Sequence, residues 1–256
     1  MSSAAYERIA SDLRAAYSRG QIEPIAGRFG AFDIGDAYLV QEINTRAWVS
    51  EGRVLVGRKI GMASQAVQRQ LGVGQPSYGM LFDTMQIPNG AEVRDLLHQP
   101  RVEAEIAIKL GQDLTESDVC DYDVIDAIDW IAPAIEIVDS RIDSWRISIL
   151  DTIADNASSA LFAIGEQRSP LEFDVTNFAM RFCANGEQVS CRQGNMCFGT
   201  PYRATTWLAR KMIDLGFPLR AGDVVLTGAL GPMVPAKRDT QYSAEIGDMC
   251  AVSVSF

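Results

Sequence analysis

Glu103 and Glu105 alternate with apolar residues in Arg101-Val-Glu-Ala-Glu-Ile-Ala-Ile108, and Glu136 sits within Ala134-Ile-Glu-Ile-Val138. Residues two apart on a strand share a face, so Glu103 and Glu105 aim side by side. If Glu136 joins them from a second strand, three carboxylates converge where burial forbids uncompensated charge. A buried anion cluster needs a cation. All-oxygen ligands favour a hard divalent ion, Mg2+ or Mn2+, and three protein ligands leave coordination positions for substrate and water. The competing reading is a half-exposed strand with Glu103, Glu105, Ala107 and Lys109 on a solvated face. Glu136, in a second apolar run continuing into Asp139-Ser-Arg-Ile142, shifts the balance toward a metal-dependent enzyme.

Further segments can serve such a centre. Lys59 lies in Val54-Leu-Val-Gly-Arg-Lys-Ile-Gly61, and its strand face also carries Leu55, Gly57 and Gly61. Strand glycines often mark close approach by a ligand or another backbone. A lysine in that notch can pair with a substrate carboxylate or oxyanion; a surface lysine beside incidental glycines is the plain alternative. In Asp151-Thr-Ile-Ala-Asp-Asn-Ala-Ser-Ser159, the catalytic candidates Asp155 and Ser158, with Asn156, can hold water or orient a ligand carboxylate. Helix caps and turns use the same residue types. Gly222-Asp-Val-Val-Leu-Thr-Gly-Ala-Leu-Gly231 reads as turn, strand and glycine loop, and its backbone N–H groups around Thr227 and Gly228 can bind a substrate carboxylate. The single histidine, His98, stands before Gln-Pro and is expected to be structural or exposed.

The elements that must position these groups divide the chain in two. Residues 1–52 read as an N-terminal helical segment of two helices, joined by a connection from Gly20 to Gly35, the second helix beginning near Asp33. Residues 53–256 read as a mixed-sheet catalytic domain, the whole forming one functional unit. Its strands are expected at Val54–Ile60, Val102–Leu110, Ala134–Val138, Leu161–Ile164, Phe178–Ala184, Val224–Thr227 and Cys250–Phe256. Helices are expected at Ser64–Leu71, Tyr122–Ile131 and Ala204–Leu215, with Gly72 and Gly216 as stops. Strands outnumber helices without regular alternation, which predicts an α+β domain around a curled mixed sheet.

Composition narrows the function classes. A net charge of −10 argues against nonspecific nucleic-acid binding, which needs clustered Lys and Arg. No apolar stretch approaches the ~20 residues that span a bilayer, and the N-terminus lacks the shape of a signal peptide. The five cysteines form no C-x-x-C pair, so reduced thiols and a cytoplasmic location are expected. The chain has no G-x-G-x-x-G, P-loop, G-x-S-x-G or H-E-x-x-H, which removes the main support for nucleotide-binding and standard serine or zinc hydrolase readings.

Together the segments Val56-Gly-Arg-Lys-Ile-Gly-Met, Leu71-Gly-Val-Gly-Gln-Pro-Ser-Tyr-Gly, Pro100-Arg-Val-Glu-Ala-Glu-Ile-Ala, Pro133-Ala-Ile-Glu-Ile-Val-Asp-Ser-Arg-Ile, Asp151 to Ser159 and Leu226-Thr-Gly-Ala-Leu-Gly-Pro-Met carry a resemblance. In order and in combination they resemble the 2-hydroxypenta-2,4-dienoate (2-keto-4-pentenoate) hydratases. These belong to the hydratase/decarboxylase family of the fumarylacetoacetate hydrolase superfamily. The resemblance implies a mixed β-roll, a divalent metal held by Glu103, Glu105 and Glu136, Lys59 in the active site, a homo-oligomer, and a role in meta-cleavage degradation of aromatic compounds. The family pattern has an Asp with an acid/base or water-handling role where this chain has Ser77, which cannot act as a carboxylate base. Ser77 therefore stands as a substrate-binding candidate with Lys59, Thr227 and Gly228, and nearby Asp83 is a candidate substitute base. The segment Lys237-Arg-Asp-Thr240 also replaces the family's Gly-Asp turn.

The implied reaction is protonation of a small 2-hydroxydienoate at its far end, then addition of water at C4 to give 4-hydroxy-2-oxopentanoate. The alternative is decarboxylation of 2-oxohex-3-enedioate (4-oxalocrotonate), which passes through the same dienolate. C–C hydrolysis of an acylpyruvate needs a positioned base to activate water, and only His98 can supply the histidine. A noncatalytic protein that keeps the fold is the reading from another class.

Overall fold

Capping and helical periodicity account for the first elements of the computed structural model, which describes residues 2–27, 33–63, 68, 74–93, 97–175, 177–193 (backbone alone at 193) and 200–256. Helix α1 (Ser3–Arg19) buries Ile9, Ala10, Leu13 and Ala16 at helical spacing. Helix α2 (Ile34–Ser50) starts at Asp33, whose carboxylate accepts from the Asp36 amide while Asp36 accepts from the Asp33 amide. This reciprocal cap satisfies two N–H groups that the first turn leaves free. The two helices bury a small core with Ile142, Ile153 and Ala154.

The remaining elements are β1 (Leu55–Gly61), β2 (Ser77–Phe82), β3 (Gln86–Ile87), β4 (Arg101–Leu110), α3 (Asp121–Ala127), β5 (Ile128–Val138), α4 (Ile149–Ala154), β6 (Ser159–Ile164), β7 (Ala179–Ala184), β8 (Glu187–Gln193), α5 (Pro201–Asp214), β9 (Val224–Leu226), β10 (Val234–Pro235), β11 (Gln241–Ile246) and β12 (Val252–Ser255). One sheet runs β2-β1-β9-β4-β5-β6-β3, with β10 also on β4; a second runs β12-β11-β7-β8. The pairs β1–β9 and β3–β6 are parallel and the other pairs are antiparallel, so the fold is the mixed α+β architecture expected. Strands β11 and β12 pack against β5, and β12 also packs against β6, which puts the main core between the two sheets. No helix among the described residues is long and apolar enough to cross a membrane.

Several expectations are corrected. The helix expected over Tyr122–Ile131 ends at Ala127, because Ile128 to Ile131 pair as strand with Leu110 to Ile108. Strand β2 was not expected: all six of its residues are buried, so it carries no polar alternation. A bulge between Leu55 and Gly57 removes Leu55 from the face that Gly57, Lys59 and Gly61 share. Nearly all of the helix expected over Ser64–Leu71, its Gly72 stop and Cys197 lie outside the described residues.

Candidate active site

Register brings the carboxylates together. Glu103 on β4 lies directly opposite Glu136 on β5, and Glu105 follows two residues along on the same face. The face continues across the sheet, since Ala107 pairs with Leu226 of β9 and Leu226 with Lys59 of β1. It ends at β2, where Lys59 opposes Gly79 and Gly61 opposes Ser77. Glu103, Glu105, Glu136, Lys59 and Ser77 therefore occupy one side of one sheet.

All five are buried. Lys59 Nζ lies 3.0 Å from Glu136 Oε1 and 3.2 Å from Oε2. The Ser159 hydroxyl donates to Glu136 Oε1 at 3.2 Å, and the Gly228 amide donates to Glu105 Oε2 at 2.9 Å. Burial, and then Glu136, push the Glu103 carboxyl up to about 8 against the pull of Lys59. Glu105 is raised well above the usual range by the same causes. Burial lowers the affinity of Lys59 for its proton, but Glu136, Glu103 and Glu105 together outweigh it and the ammonium is held more strongly than usual. Thus one cation faces three carboxyl groups, and the cluster carries excess negative charge when they ionise.

That imbalance suits a divalent cation. One carboxylate oxygen from each of Glu103, Glu105 and Glu136 can be chosen so that all lie within 4.8 Å of one another. Glu105 Oε1 is buried without a hydrogen-bond partner among the described residues, an orphan atom that a cation would satisfy. The donor set is all oxygen, as hard divalent ions prefer. The residues present fit such an ion.

The cluster opens onto a cavity of about 580 Å3. Lys59, Glu103, Ser77 and Ser158 supply polar groups to its wall, Val138, Trp145, Ile147 and Met233 supply apolar ones, and Arg192 also borders it. The hydroxyls of Ser77 and Ser158 are buried and have no hydrogen-bond partner among the described residues. Orphan hydroxyls on a cavity wall are available to a water or a ligand.

The other sequence candidates lie behind this wall. The Thr227 hydroxyl donates to the Ile106 carbonyl, and Gly228 holds Glu105, so both brace β4 and neither lines the cavity. The Asp155 carboxylate is bound by Arg141 through Nε at 2.6 Å and the backbone amide at 3.0 Å. Burial raises the Asp155 carboxyl to about 6 against the pull of Arg141. Asn156 bonds the amide and carbonyl of Met80 with its side-chain amide, fastening the turn to β2. Asp83 caps the turn at Val54 and Thr84, away from the cavity. His98 Nε2 bonds the Ala16 carbonyl, the structural role expected.

Ser158 reaches the wall through an unusual turn. Asn156, Ala157 and Ser158 have φ of 53°, 52° and 57°. Left-handed backbone costs an L-residue roughly 1–2 kcal/mol, so three in succession persist only because the surroundings hold them. Gly79 admits the turn: a Cβ there would lie 2.5 Å from the Asn156 carbonyl oxygen. The signal for Ser158 was the polar run before β6; the roles of Arg141, Trp145 and Arg192 are visible only in three dimensions.

A curled mixed sheet that presents three buried carboxylates and a lysine to a small-molecule cavity defines a class, that of enzymes built around a divalent-cation centre. The model described as fumarylacetoacetate (FAA) hydrolase C-terminal matches residues 56–256. The chain is 49% identical to 2-keto-4-pentenoate hydratase 1 of Dechloromonas aromatica (strain RCB), over 98% of this chain and 96% of that one. It is 38% identical to the 2-hydroxyhexa-2,4-dienoate hydratase of Comamonas testosteroni, over 98% and 95%. Among solved structures, 4-oxalocrotonate decarboxylase from Pseudomonas putida G7, complexed with magnesium and adipate, superposes with a TM-score of 0.96 at 29% identity, over 100% of this chain and 98% of that one. The chain belongs to the fumarylacetoacetate hydrolase family.

Proposed function

We propose that the chain is a hydratase that adds water to 2-hydroxypenta-2,4-dienoate and gives 4-hydroxy-2-oxopentanoate, in the meta-cleavage degradation of aromatic compounds. The observation that carries the reading is the convergence of Glu103, Glu105, Glu136 and Lys59 on one sheet face, with Lys59 and Glu103 on the wall of one cavity, in a chain 49% identical over nearly its whole length to a protein named for this activity. Glu103, Glu105 and Glu136 would hold Mg2+ or Mn2+. When bound, that ion supplies Lewis-acid stabilisation of negative charge on the substrate's 2-oxygen.

The protein's own groups do the rest. The Lys59 ammonium, kept protonated by Glu136, attracts the substrate carboxylate and 2-oxygen and steadies the enolate. The apolar wall of Val138, Trp145, Ile147 and Met233 receives the diene carbons and excludes bulk water. Net transfer of the 2-hydroxyl proton to C5 converts the dienol to the 2-oxo-3-enoate, whose C4 is then electrophilic. The Ser158 and Ser77 hydroxyls, without partners among the described residues, orient the water whose oxygen adds at C4, and the proton that this water gives up is taken up at C3. Asp155 acts from behind, by fixing the turn that carries Ser158.

Purified protein and freshly generated 2-hydroxypenta-2,4-dienoate, with Mg2+, Mn2+ or EDTA, test the proposal. Loss of the dienoate's ultraviolet absorbance, dependent on the metal and yielding a product heavier by one water, is expected. Absence of turnover with every metal would overturn it. The second reading is decarboxylation of 2-oxohex-3-enedioate, favoured by the superposition on the decarboxylase. Release of CO2 from that substrate, without hydration of the dienoate, would select it.

A further inference from the structure

The family match begins at residue 56, yet the two N-terminal helices reach the turn that forms the cavity wall. Arg141 is 1% exposed, and each of its three side-chain nitrogens donates to this turn. Its Nε donates to Asp155 Oδ1 at 2.6 Å, Nη2 to the Asp155 carbonyl at 2.8 Å and Nη1 to the Ser159 carbonyl at 3.1 Å. The guanidinium therefore bridges the residues on either side of the left-handed stretch 156–158. Its open face is covered from α1: the guanidinium carbon lies 4.4 Å from the centre of the Tyr17 ring, within cation–π range. From α2, the Gln41 side-chain amide donates to the carbonyls of Ile153 and Tyr78, tying the end of α4 to β2.

The groups thus held are functional. Ser158 lines the cavity with its Oγ unpartnered among the described residues, and Ser159 Oγ donates to Glu136, which also receives Lys59. A displacement of the turn moves one hydroxyl on the wall and another on a metal-ligand carboxylate. A lysine at 141 has one point of donation where the guanidinium fork has several, and it cannot span Asp155 and Ser159 together.

We propose that Arg141, backed by the Tyr17 ring, is a positioning residue for the reaction, and that the N-terminal helices are thereby a working part of the site. The proposal rests on the hydratase reading for its kinetic readout, and on the carboxylate centre alone for its metal readout.

The test uses the full-length variants Arg141→Lys, Tyr17→Leu and Tyr17→Phe, below their melting temperatures. It measures kcat and KM for the dienoate at saturating Mg2+, and the Kd of Mg2+ by calorimetry in the absence of substrate. Arg141→Lys is expected to lower kcat and weaken Mg2+ by about 10–100-fold, the range typical of lost contacts to metal ligands, with KM nearly unchanged. Tyr17→Leu is expected to move both quantities in the same direction by less, and Tyr17→Phe, which keeps the ring, to restore wild-type values. Wild-type kcat and Mg2+ affinity in Arg141→Lys and Tyr17→Leu would overturn the proposal, as would a rise in KM alone. If Arg141→Lys does not fold, the Tyr17 pair decides: equal values for Leu and Phe overturn the proposal. If the wild type does not turn over the dienoate, the hydratase reading fails while the Mg2+ affinities still decide this one.

Discussion

At the scale of single residues the site is an exercise in compensated charge. Among the described residues Lys59 is the one cation that contacts Glu136, which also accepts from the Ser159 hydroxyl. Lys59→Met removes the ammonium at similar volume and leaves Glu136 buried beside Glu103. Breaking a buried pair from one side costs about 3–5 kcal/mol, so urea melts in EDTA should show a loss of that size, partly recovered on adding Mg2+. Ser77 and Ser158 behave oppositely. Their hydroxyls are buried without partners among the described residues, so Ser77→Ala and Ser158→Ala strand no group there and should change stability by less than about 1 kcal/mol. Turnover should fall in both, because the hydroxyls meet water or substrate. A large loss of stability with full activity would contradict this. The sequence made the carboxylates and Lys59 legible through strand alternation and the glycine notch. It left Arg141 unread, since a lone arginine in a short loop announces neither burial nor its carboxylate partner.

Elements hold these residues in register, and the left-handed turn shows how tightly. Gly79 on β2 lets the Asn156 carbonyl approach where a methyl group would sit 2.5 Å from that oxygen and 3.0 Å from Ala157 Cβ. Both neighbours are backbone or a rigid methyl, so neither yields easily. Gly79→Ala is expected to cost about 1–3 kcal/mol, as overpacking does, and to lower kcat by displacing Ser158. Thermal melts and steady-state kinetics check the two effects, and an unperturbed variant would show that the turn tolerates movement. Legibility at this scale followed polarity. Strand β4 was readable because its glutamates alternate with apolar residues. Strand β2 was not, because both of its faces are covered, and the beginning of β5 was taken for helix because Ile128 to Ile131 are apolar in any conformation. The turn at 156–158 was invisible for another reason: its residues prefer other backbone states, and contacts from Met80, Arg141 and Asp139, none of them a neighbour in sequence, enforce this one.

Across the whole molecule, the α+β class followed from counting strands and helices. The wrapping of two sheets about one core did not, because it depends on pairings far apart in sequence, such as β1 with β9. We propose for this chain the homo-oligomer that the family resemblance implies. Light scattering should return a molar mass that is a multiple of 28.0 kDa, and a monomer at micromolar concentration would contradict that. Cation binding to the native state alone adds about 2.7 kcal/mol at one hundred times Kd, so Mg2+ should raise the melting temperature of the wild type and leave that of Glu105→Gln nearly unmoved. The central claim is that Glu103, Glu105 and Glu136 hold one divalent cation at the cavity. Anomalous diffraction from crystals soaked in Mn2+ tests it most directly. The account predicts a single strong peak bonded to oxygens of all three carboxylates; a peak elsewhere, or none at this cluster, would contradict it.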